Sequence, residues 1–309
     1  MVRVKVPATT ANLGPGFDTL GMALSLYNHV EMEETGTLGE LIIEVEGEGA
    51  SSIPCDENNV TYLAAQEVFK VTGYCPAGLH IRLLNWIPAA RGLGSSAAAR
   101  VGGLLAANCL AGERLSLDQL LAIAVHLEGH PDNVAPALLG GLVVASRLGE
   151  QVLYHRIEVM DGLIAILVIP DFELATQAAV QALPLVIPVK DAVFNIGQAC
   201  LLVAGFIDGN WDLVGQAMQD RIHQSYRQSL IPGLEKVLAV ARKNGALGAA
   251  LSGAGPTVLA LFAEKSDQPD ANKVKAEQIG KAMQTAFRHN GVNSTVLLLK
   301  PLNKGAKFF

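Results

Sequence analysis

The chain has 309 residues, of which 50% are apolar and 17% charged, and its formal net charge is −6. At roughly 100–200 residues per domain, this length predicts two domains that can bury a core without disulfides or a structural metal. The acidic balance and the lack of any run of four basic residues argue against a nucleic-acid or anionic-membrane surface as the main function. We therefore expect no nucleic-acid partner and no membrane partner.

The sequence also predicts a cytoplasmic protein. Its longest unbroken apolar run, Leu163–Ile169, is far shorter than the roughly 20 residues that span a bilayer. The first residues, Met1–Pro7, contain no apolar signal core. The four cysteines are widely spaced and form no C-x-x-C pair, which is typical of packing residues in a reducing compartment. They are Cys55, Cys75, Cys109 and Cys200.

Hydrophobic periodicity and turn residues predict mixed strands and helices along the first half of the chain. In chain order we expect strands at Arg3–Pro7, Leu24–Glu33 and Leu41–Glu46, a helix at Asn59–Val71, a strand at Leu79–Leu84, an Ala-rich helix ending at Leu110, and a helix at Ser116–Glu128. The last of these begins with a serine N-cap and an acidic first turn.

The second half continues this mixture. Strands are predicted at Leu142–Ser146, Val152–Ile157, Leu163–Ile169, Ala246–Leu251, Thr257–Phe262 and Val292–Leu298, and helices at Gln177–Ala182, Phe194–Ile207, Leu234–Lys243 and Ala271–Arg288. Because strands and helices do not follow a strict βαβ rhythm, the pattern favours an α+β fold over a doubly wound sheet. We place the boundary near residue 155, which gives domains 1–155 and 156–309.

The strongest functional signal is the segment Pro88-Ala89-Ala90-Arg91-Gly92-Leu93-Gly94-Ser95-Ser96, which leads into the Ala-rich helix. Glycines let backbone N–H groups turn toward one point, and the helix adds the positive end of its dipole. The hydroxyls of Ser95 and Ser96 can reach a phosphate and a Mg²⁺ ion. The segment therefore predicts a phosphate cradle, although the chain has no G-x-x-x-x-G-K-[ST] motif. A plain glycine turn with a serine N-cap is the alternative.

The same glycines also resemble a dinucleotide-binding fingerprint, Gly92-x-Gly94-x-x-Ala97, with Glu113 located 21 residues after the first glycine. That motif needs a strand running directly into the first glycine and a second parallel strand after the helix. Here Trp86–Arg91 intervenes and another helix follows. We therefore reject this interpretation.

Two further glycine-containing segments are candidates for a binding site. Pro7–Asp18 places Asn12 and Asp18 on a tight loop after the first strand, where they could hold a small polar substrate or serve as ordinary turn residues. Leu251–Thr257 is a glycine loop between two apolar strands. Its serine, Ser252, lacks the flanking glycines of a G-x-S-x-G nucleophile elbow.

Taken together, in this order and at these separations, the three segments resemble those of the GHMP small-molecule kinases, and the resemblance covers essentially the whole chain. Pro7–Gly21, Glu128–Gly141 and Asp220–Gly233 are similar to the branch of the family that phosphorylates L-homoserine. The resemblance implies a two-domain α+β GHMP kinase fold, with an N-terminal domain like domain 2 of ribosomal protein S5 and a ferredoxin-like C-terminal domain. It also implies ATP-dependent phosphorylation of the side-chain hydroxyl of L-homoserine in threonine biosynthesis, Mg²⁺, and a homodimer as a possible assembly.

The resemblance assigns roles to the matching residues of the nucleotide site. Gly92–Ser96 is expected to hold the β- and γ-phosphates of ATP, and Ser96 and Glu128 are expected to bind Mg²⁺, which prefers oxygen ligands. Asn59 is expected to approach the adenine. The complete expected ATP site is Asn59, Pro88, Arg91, Gly92, Leu93, Gly94, Ser95, Ser96, Ala97, Gly253 and Gly255.

The resemblance also implies an amino-acid pocket. Asp18 is a natural partner for the substrate ammonium, and Arg227 would bind the substrate carboxylate through two parallel hydrogen bonds. The expected substrate residues are Asn12, Asp18, His130, Asn133, Thr176 and Arg227, and the expected catalytic residues are Ser96, Glu128 and Asn133.

Asn133 constrains the mechanism, because the mevalonate-kinase branch has a proposed aspartate base at this position. An amide accepts no proton at neutral pH, so Asn133 can orient the hydroxyl without deprotonating it. Phosphoryl transfer depends mainly on positioning and charge neutralisation, and the γ-phosphate itself could take the proton. Asp132 is the alternative base, although adjacent residues on a helix point about 100° apart.

The chain departs from the branch at Val180, where an arginine that helps to bind the substrate carboxylate usually stands. A valine has neither charge nor donor, so substrate binding would weaken by roughly 1.5–3 kcal/mol, or ~10–100-fold. Gln177 or Gln181 could compensate in part. Two alternatives stay open: a GHMP kinase acting on a different small hydroxyl substrate, and a non-catalytic protein of this fold that binds a nucleotide or metabolite.

Overall fold

A computed structural model of the chain describes residues 1–265 and 267–309. Within these residues the molecule has two β-sheets, one of seven strands and one of four. The strands in chain order are β1 (Val2–Ala11), β2 (Leu20–Thr35), β3 (Leu41–Gly47), β4 (Gly78–Asn85), β5 (Leu142–Leu148), β6 (Gln151–Ile157), β7 (Leu163–Pro170), β8 (Gly248–Leu251), β9 (Val258–Ala263), β10 (Ser294–Leu299) and β11 (Lys307–Phe308).

Helices pack on both sheets. In chain order they are α1 (Val60–Thr72), α2 (Ser95–Leu110), α3 (Leu117–Glu128), α4 (Pro131–Leu139), α5 (Thr176–Gln181), α6 (Val189–Asp208), α7 (Trp211–Ala217), α8 (Gln224–Arg227), α9 (Leu234–Lys243) and α10 (Pro269–Arg288). A 3-10 turn at Gln228–Leu230 follows α8.

The first sheet is organised by β2, whose 16 residues pair with three other strands. Its first residues pair with β5, its last residues pair with β4, and β1 runs antiparallel along most of its length. β3 joins β4 in parallel, β6 joins β5, and β11 joins the free edge of β1. Helices α2 and α4 pack against β1 and β2, so the apolar residues of this sheet and these helices form one core.

The second sheet has the strand order β10-β7-β9-β8, and its strands are antiparallel. In sequence order this is 4-1-3-2, with helices between the first and second strands and between the third and fourth. This βαββαβ arrangement is ferredoxin-like, as the resemblance implies. β7 is buried on both faces, which explains its continuous apolar run. Leu167 faces the main core, whereas its neighbour Ile166 packs in a second core with α9 and α10.

Three loops meet beside the two sheets, and they are the three segments identified in the sequence. They are residues 12–19 after β1, residues 86–94 between β4 and α2, and residues 252–257 between β8 and β9. The N–H of Gly253 donates to Ala11 O at 3.1 Å, and Ser252 Oγ donates to Gly92 O at 2.6 Å. These bonds bring the loops to one place.

Most predicted elements are present, but the prediction omitted α4. This helix starts with Pro131, which is compatible with a helix start, but it also contains Pro136, which suggests a break where the structure has a helix. The prediction also omitted α7 and α8, because helices of seven and four residues are too short to show a helical period. Helix α6 starts at Val189, five residues before the predicted start.

The last residues of the chain return to the first sheet. β11 pairs with β1, and Pro301 forms a bridge with Leu24 of β2. The main core also combines residues from both halves of the chain, such as Leu104 of α2 and Leu259 of β9. The division at residue 155 therefore stays a prediction.

One described helix, α6, is long and apolar enough to cross a membrane by length and composition alone. Its mean hydropathy is 1.3 over a window of which 22% is buried, and a single helix of this kind is weak support for a span. Asn195 of α6 is buried and donates hydrogen bonds to Pro15 O and to the Asp220 carboxylate. This face of α6 therefore packs on the rest of the molecule.

Candidate active site

A cavity of about 310 Å³ lies where the three loops meet. All predicted site residues except Asn59 and Ala97 line it. The lining residues are Asn12, Asp18, Pro88, Ala90, Arg91, Gly92, Leu93, Gly94, Ser95, Ser96, Arg100, Glu128, His130, Asp132, Asn133, Leu174, Thr176, Val180, Arg227, Gly253, Ala254 and Gly255.

One end of the cavity is formed by the N-terminus of the 16-residue helix α2. Gly94 is the N-cap, and no side chain in the described part of the chain caps this helix. The first intrahelical bond runs from Ala98 N to Gly94 O, so the N–H groups of Ser95, Ser96 and Ala97 have no intrahelical acceptor. Three such donors at the positive end of a helix dipole favour an anion.

Gly92 and Gly94 allow residues 86–94, which we call the phosphate loop, to pack closely against neighbouring segments. Gly92 has a φ of +75°, and a Cβ on it would lie 2.2 Å from Ser252 O. Gly94 has a φ of +72°, and a Cβ on it would lie 2.0 Å from Thr9 Oγ1. Both positions therefore exclude a side chain by backbone conformation and by space.

Two arginine side chains at this end of the cavity form hydrogen bonds with other protein groups. Arg91 Nη1 donates to Pro170 O at 2.5 Å, at the end of β7. Arg100 Nε donates to Glu128 Oε2 at 2.7 Å, and both side chains are mostly buried. Burial raises the pKa of the Glu128 carboxyl, and the charge of Arg100 opposes this rise. Arg100 was not predicted, although it follows Ser96 by one helical turn.

A two-residue link places Glu128 and His130 on the same cavity. Glu128 is the last residue of α3, and Gly129 ends that helix in the left-handed conformation with a φ of +94°. His130 is the N-cap of α4, and Pro131 follows at the first helical position. The short connection between α3 and α4 therefore brings the side chains of Glu128 and His130 to the same cavity.

Asp132 is buried and holds two neighbours at the other end of the cavity. Its Oδ1 accepts a short hydrogen bond from His130 Nδ1 and a second bond from Asn133 Nδ2 at 3.3 Å. Burial alone would lower the pKa of His130, but Asp132, Asp18 and Glu128 together raise it to about 9. His130 is therefore protonated at neutral pH.

The amide of Asn133 is oriented by its two partners. Thr9 Oγ1 donates to Asn133 Oδ1 at 2.8 Å, while Nδ2 faces Asp132. One N–H of the amide remains for a ligand. Asn133 can thus donate to a substrate oxygen and cannot take its proton.

The loop after β1 holds Asp18 in a strained conformation. Asn12 and Asp18 have φ values of +71° and +52°. Asn12 Oδ1 accepts from Asp18 N at 3.0 Å, and Asn12 Nδ2 donates to Gly253 O at 2.9 Å. The Asn12 side chain is therefore engaged in holding the loop. Burial and the charge of Asp132 raise the pKa of the Asp18 carboxyl, and His130 and Arg227 oppose this rise.

Arg227 is buried at the wall of the cavity. Its Nε donates to Ala179 O at 3.2 Å, and its Nη1 donates to Gly253 O at 3.1 Å. Burial lowers the pKa of the Arg227 guanidinium, and nearby carboxylates, with Asp18 first, oppose this effect. Thr176 and Val180 of α5 line the same cavity, and Val180 is 54% exposed.

The two predicted residues outside the lining have identifiable roles. Asn59 is fully buried and caps α1, because its Oδ1 accepts from Thr61 N at 2.9 Å and its Nδ2 donates to Pro54 O at 2.7 Å. Its proposed contact with adenine stays a prediction. The Ala97 side chain is buried in the core, so only its backbone N–H can serve a ligand.

Sequence reasoning missed four lining residues, Ala90, Arg100, Leu174 and Ala254. The spacing of Arg100 from Ser96 on one helix was the single signal available, since the other three have no polar side chain. Asp132 was considered as a base, and the structure instead shows it buried and bonded to His130 and Asn133.

The end of the cavity beside the N-terminus of α2, which we call the phosphate end, has donors that fit the Mg²⁺ ion that the resemblance implies. The Ser96 hydroxyl and the Glu128 carboxylate line one cavity and offer only oxygen ligands, which Mg²⁺ prefers. Asp18, His130 and Asp132 also form a compact cluster, with one ligand atom from each within 4.8 Å of the others. In the structure, His130 Nδ1 is hydrogen-bonded to Asp132, so two members of this cluster are already paired with each other.

The cavity therefore has two chemically different ends. One end offers backbone N–H groups, hydroxyls and a carboxylate, as a metal-bound polyphosphate requires. The other end places Asp18 and Asp132 beside His130 and Arg227, which complements a zwitterion. This combination defines a phosphotransferase for a small polar molecule.

Comparison with known proteins agrees with this class. Residues 59–141 match the family model of the GHMP kinases N terminal domain, and residues 202–289 match that of the GHMP kinases C terminal domain. The chain is 48% identical over 306 residues to the homoserine kinase of Moorella thermoacetica, covering 99% of each chain. It is 45% identical to the homoserine kinase of Carboxydothermus hydrogenoformans, covering 99% of this chain and 96% of that one.

The crystal structure of homoserine kinase from Cytophaga hutchinsonii superposes with a TM-score of 0.87 at 32% identity, covering 100% of this chain and 97% of that one. The chain belongs to the GHMP kinase family. It is an enzyme of the kinase class, and the predicted two-domain α+β GHMP kinase fold is confirmed.

Proposed function

We propose that this chain transfers the γ-phosphoryl group of ATP to the side-chain hydroxyl of L-homoserine and releases O-phospho-L-homoserine and ADP, as a step in threonine biosynthesis. The observation that carries the proposal is a cavity that is lined both by the N-terminus of α2 and by the side chains of Asp18, His130, Asp132 and Arg227. The names of the relatives from Moorella thermoacetica and Cytophaga hutchinsonii support L-homoserine as the substrate.

The phosphate end binds ATP through the free N–H groups of the first turn of α2 and through the 92–94 loop. Ser96 and Glu128 would hold Mg²⁺, which would supply positive charge to the phosphates during transfer. The Glu128 carboxylate is positioned for this task by its ion pair with Arg100.

The amino-acid end binds the two charged groups of the substrate. Asp18 accepts hydrogen bonds from the ammonium, and Arg227 donates to the carboxylate from Nη2. The expected pair of parallel hydrogen bonds from two nitrogens is not available, because Nε and Nη1 already bond to Ala179 O, Gly253 O and His223 Nδ1. Protonated His130 balances the charge of Asp132 beside them. Asn133 donates its remaining N–H to the hydroxyl oxygen, which leaves a lone pair of that oxygen for attack.

In the transfer step, the hydroxyl oxygen forms a bond to the γ-phosphorus while the bond from that phosphorus to the β-phosphate oxygen breaks. ADP leaves with the bonding electrons. We assign the hydroxyl proton to an oxygen of the transferred phosphoryl group, because Asn133 has no proton-accepting group and phosphoryl transfer depends mainly on positioning and charge neutralisation.

A different amino alcohol is the second candidate substrate. Val180 exposes an apolar side chain on the cavity wall where the homoserine-phosphorylating branch usually has an arginine. A substrate that does not need a second cationic side chain beside Arg227 would bind equally well at this wall of the cavity.

The direct test is ADP production with Mg-ATP, with titrations of L-homoserine, L-threonine, L-serine and mevalonate. Turnover confined to L-homoserine supports the proposal, and a raised KM would fit the valine at position 180. Turnover with another substrate alone supports the second candidate. Nucleotide binding without turnover of any substrate would indicate a non-catalytic protein.

We also propose a cytoplasmic location, which agrees with free thiols at all four cysteines, at positions 55, 75, 109 and 200. All of them except Cys109 are exposed, so the prediction that the cysteines are packing residues is wrong for the other three. A homodimer remains the assembly that the family resemblance implies. Light scattering on the purified protein decides between monomer and dimer, and fractionation of expressing cells tests the location.

A further inference from the structure

We propose that His223 is a positioning residue that holds the guanidinium of Arg227 at the amino-acid end of the cavity without neutralising its charge. This inference rests on the proposed function, since it assumes that Arg227 binds the substrate carboxylate. The His223 side chain is completely buried, and it follows the loop after α7 and precedes α8, which carries Arg227.

The contacts of the imidazole define its protonation state. Nε2 lies 2.8 Å from Gly14 O, and Nδ1 lies 3.3 Å from Arg227 Nη1. A carbonyl oxygen only accepts and a guanidinium only donates. The ring therefore carries its proton on Nε2 and a lone pair on Nδ1, which is the one state that satisfies both contacts.

The surroundings hold the ring in this state and orientation. Phe17 stacks on the imidazole, with ring centroids 5.2 Å apart. The Asp220 carboxylate accepts from the backbone N–H groups of Ile222, His223 and Gln224 at 3.0, 2.9 and 2.7 Å. Burial lowers the pKa of His223, although the charge of Asp220 opposes this effect. The backbone and the ring are thus fixed before a ligand arrives.

The partners of Arg227 explain why a neutral residue suits position 223. Its three hydrogen bonds go to Ala179 O, Gly253 O and His223 Nδ1, all uncharged acceptors. Within residues 1–265 and 267–309, Arg227 forms no ion pair. A carboxylate at position 223 would compete with the substrate for the guanidinium, whereas the imidazole orients it and leaves its charge for the substrate.

Two substitutions separate the contacts of the ring. His223→Asn keeps an acceptor near the place of Nδ1 and loses the donor to Gly14, whereas His223→Gln keeps a donor near the place of Nε2 and loses the acceptor for Arg227. We expect H223Q to raise the KM for L-homoserine about tenfold and H223N to raise it less than about threefold. Both should leave the KM for ATP within about twofold. H155N and H155Q, at an exposed histidine of β6, are the matched controls.

Equal increases in the KM for L-homoserine for H223N and H223Q, or a parallel rise in the KM for ATP, would overturn the proposal. If neither variant folds, nitrogen NMR of the wild-type enzyme with labelled histidine reads the tautomer directly from about pH 6 to about pH 9. The charged groups that face the ring are Asp220, Arg227 and, farther away, Asp132.

The expected NMR result is the neutral Nε2–H form over that whole range, and an Nδ1–H or doubly protonated ring contradicts the inference. If the wild-type enzyme shows no turnover of L-homoserine, the proposed function fails. The NMR result then still decides whether His223 is built to orient Arg227, so the two failures are distinguishable.

Discussion

The two ends of the cavity are constructed differently. The phosphate end comes mainly from one continuous stretch, Pro88–Arg100, whose glycines and helix terminus set its shape locally. The amino-acid end combines residues from four distant segments, 12–18, 130–133, 176–180 and 227. The geometry of the phosphate end is therefore set by residues that are close in sequence. The geometry of the amino-acid end depends instead on tertiary contacts, such as those that hold Asn12, Asn133 and Arg227.

This difference predicts that substitutions at the two ends change different kinetic constants. Changes at the phosphate end should affect kcat and the KM for ATP, and changes at the amino-acid end should affect the use of L-homoserine with the KM for ATP nearly unchanged. Four substitutions test this separation.

Glu128→Gln should have the largest effect. The amide lacks the negative charge that holds Mg²⁺, so we expect kcat to fall about a thousandfold, equivalent to about 4 kcal/mol of transition-state stabilisation. Steady-state kinetics check the rate, and circular dichroism checks that the fold persists despite the loss of the Arg100 ion pair. Glu150→Gln, at an exposed turn, is the control. A kcat within tenfold of the wild type would contradict the assigned role.

Gly92→Ala should be the next most damaging change, and Gly73→Ala provides a matched control. Both glycines have a left-handed φ, +75° and +68°, but a Cβ on Gly92 meets Ser252 O at 2.2 Å whereas a Cβ on Gly73 meets nothing within 4 Å. G73A should lose about 1 kcal/mol of unfolding free energy and keep its activity. G92A should lose more stability and about a hundredfold in kcat/KM for ATP.

Denaturant unfolding and ATP titrations measure both effects. Equal losses for G92A and G73A would mean that the close contact between the phosphate loop and the 252–257 loop is unimportant.

Asn133→Asp tests whether the position can act as a base. The carboxylate loses the amide donor and places a second negative charge beside Asp132, so we expect kcat for L-homoserine to fall about thirtyfold while the KM for ATP stays near the wild-type value. Initial-rate measurements over both substrates check this. An increase in kcat would show that a proton acceptor at this position limits the wild-type reaction, against the mechanism proposed above.

Val180→Arg should have the smallest effect, and it should be a gain. A guanidinium on the cavity wall adds a charge-assisted contact to the substrate carboxylate, so the KM for L-homoserine should fall about tenfold with kcat unchanged. Val186→Arg, at an exposed position between α5 and α6, makes the same change in net charge as a control. An unchanged KM for V180R would indicate that Arg227 alone satisfies the carboxylate.

The sequence predicted the features that neighbouring residues determine better than the features that depend on tertiary contacts. The glycine-rich turn that leads into α2 and the serine N-cap of α3 at Ser116 depend on neighbouring residues, so local patterns identified them. The ferredoxin-like arrangement and the amino-acid pocket came from family resemblance, because no local pattern specifies which strands pair or which loops meet.

The omissions have physical causes. Helix α4 was omitted because Pro136 lies inside it, and a proline within a helix usually breaks or kinks it. Arg100 was omitted because its importance depends on Glu128, 28 residues away in the sequence. The full burial of Asn59 could not be foreseen either, since its partners, Pro54 and Thr61, show their role only in the folded loop.

The central claim is that both ends of one cavity serve a single reaction on the side-chain hydroxyl of L-homoserine. Phosphorus and carbon NMR of the product formed from Mg-ATP and L-homoserine labelled at its hydroxyl-bearing carbon tests it most directly. We predict one new phosphate monoester, coupled to the labelled carbon and formed together with ADP. Inorganic phosphate as the sole new phosphorus signal besides ADP, or no product at all, would contradict the account.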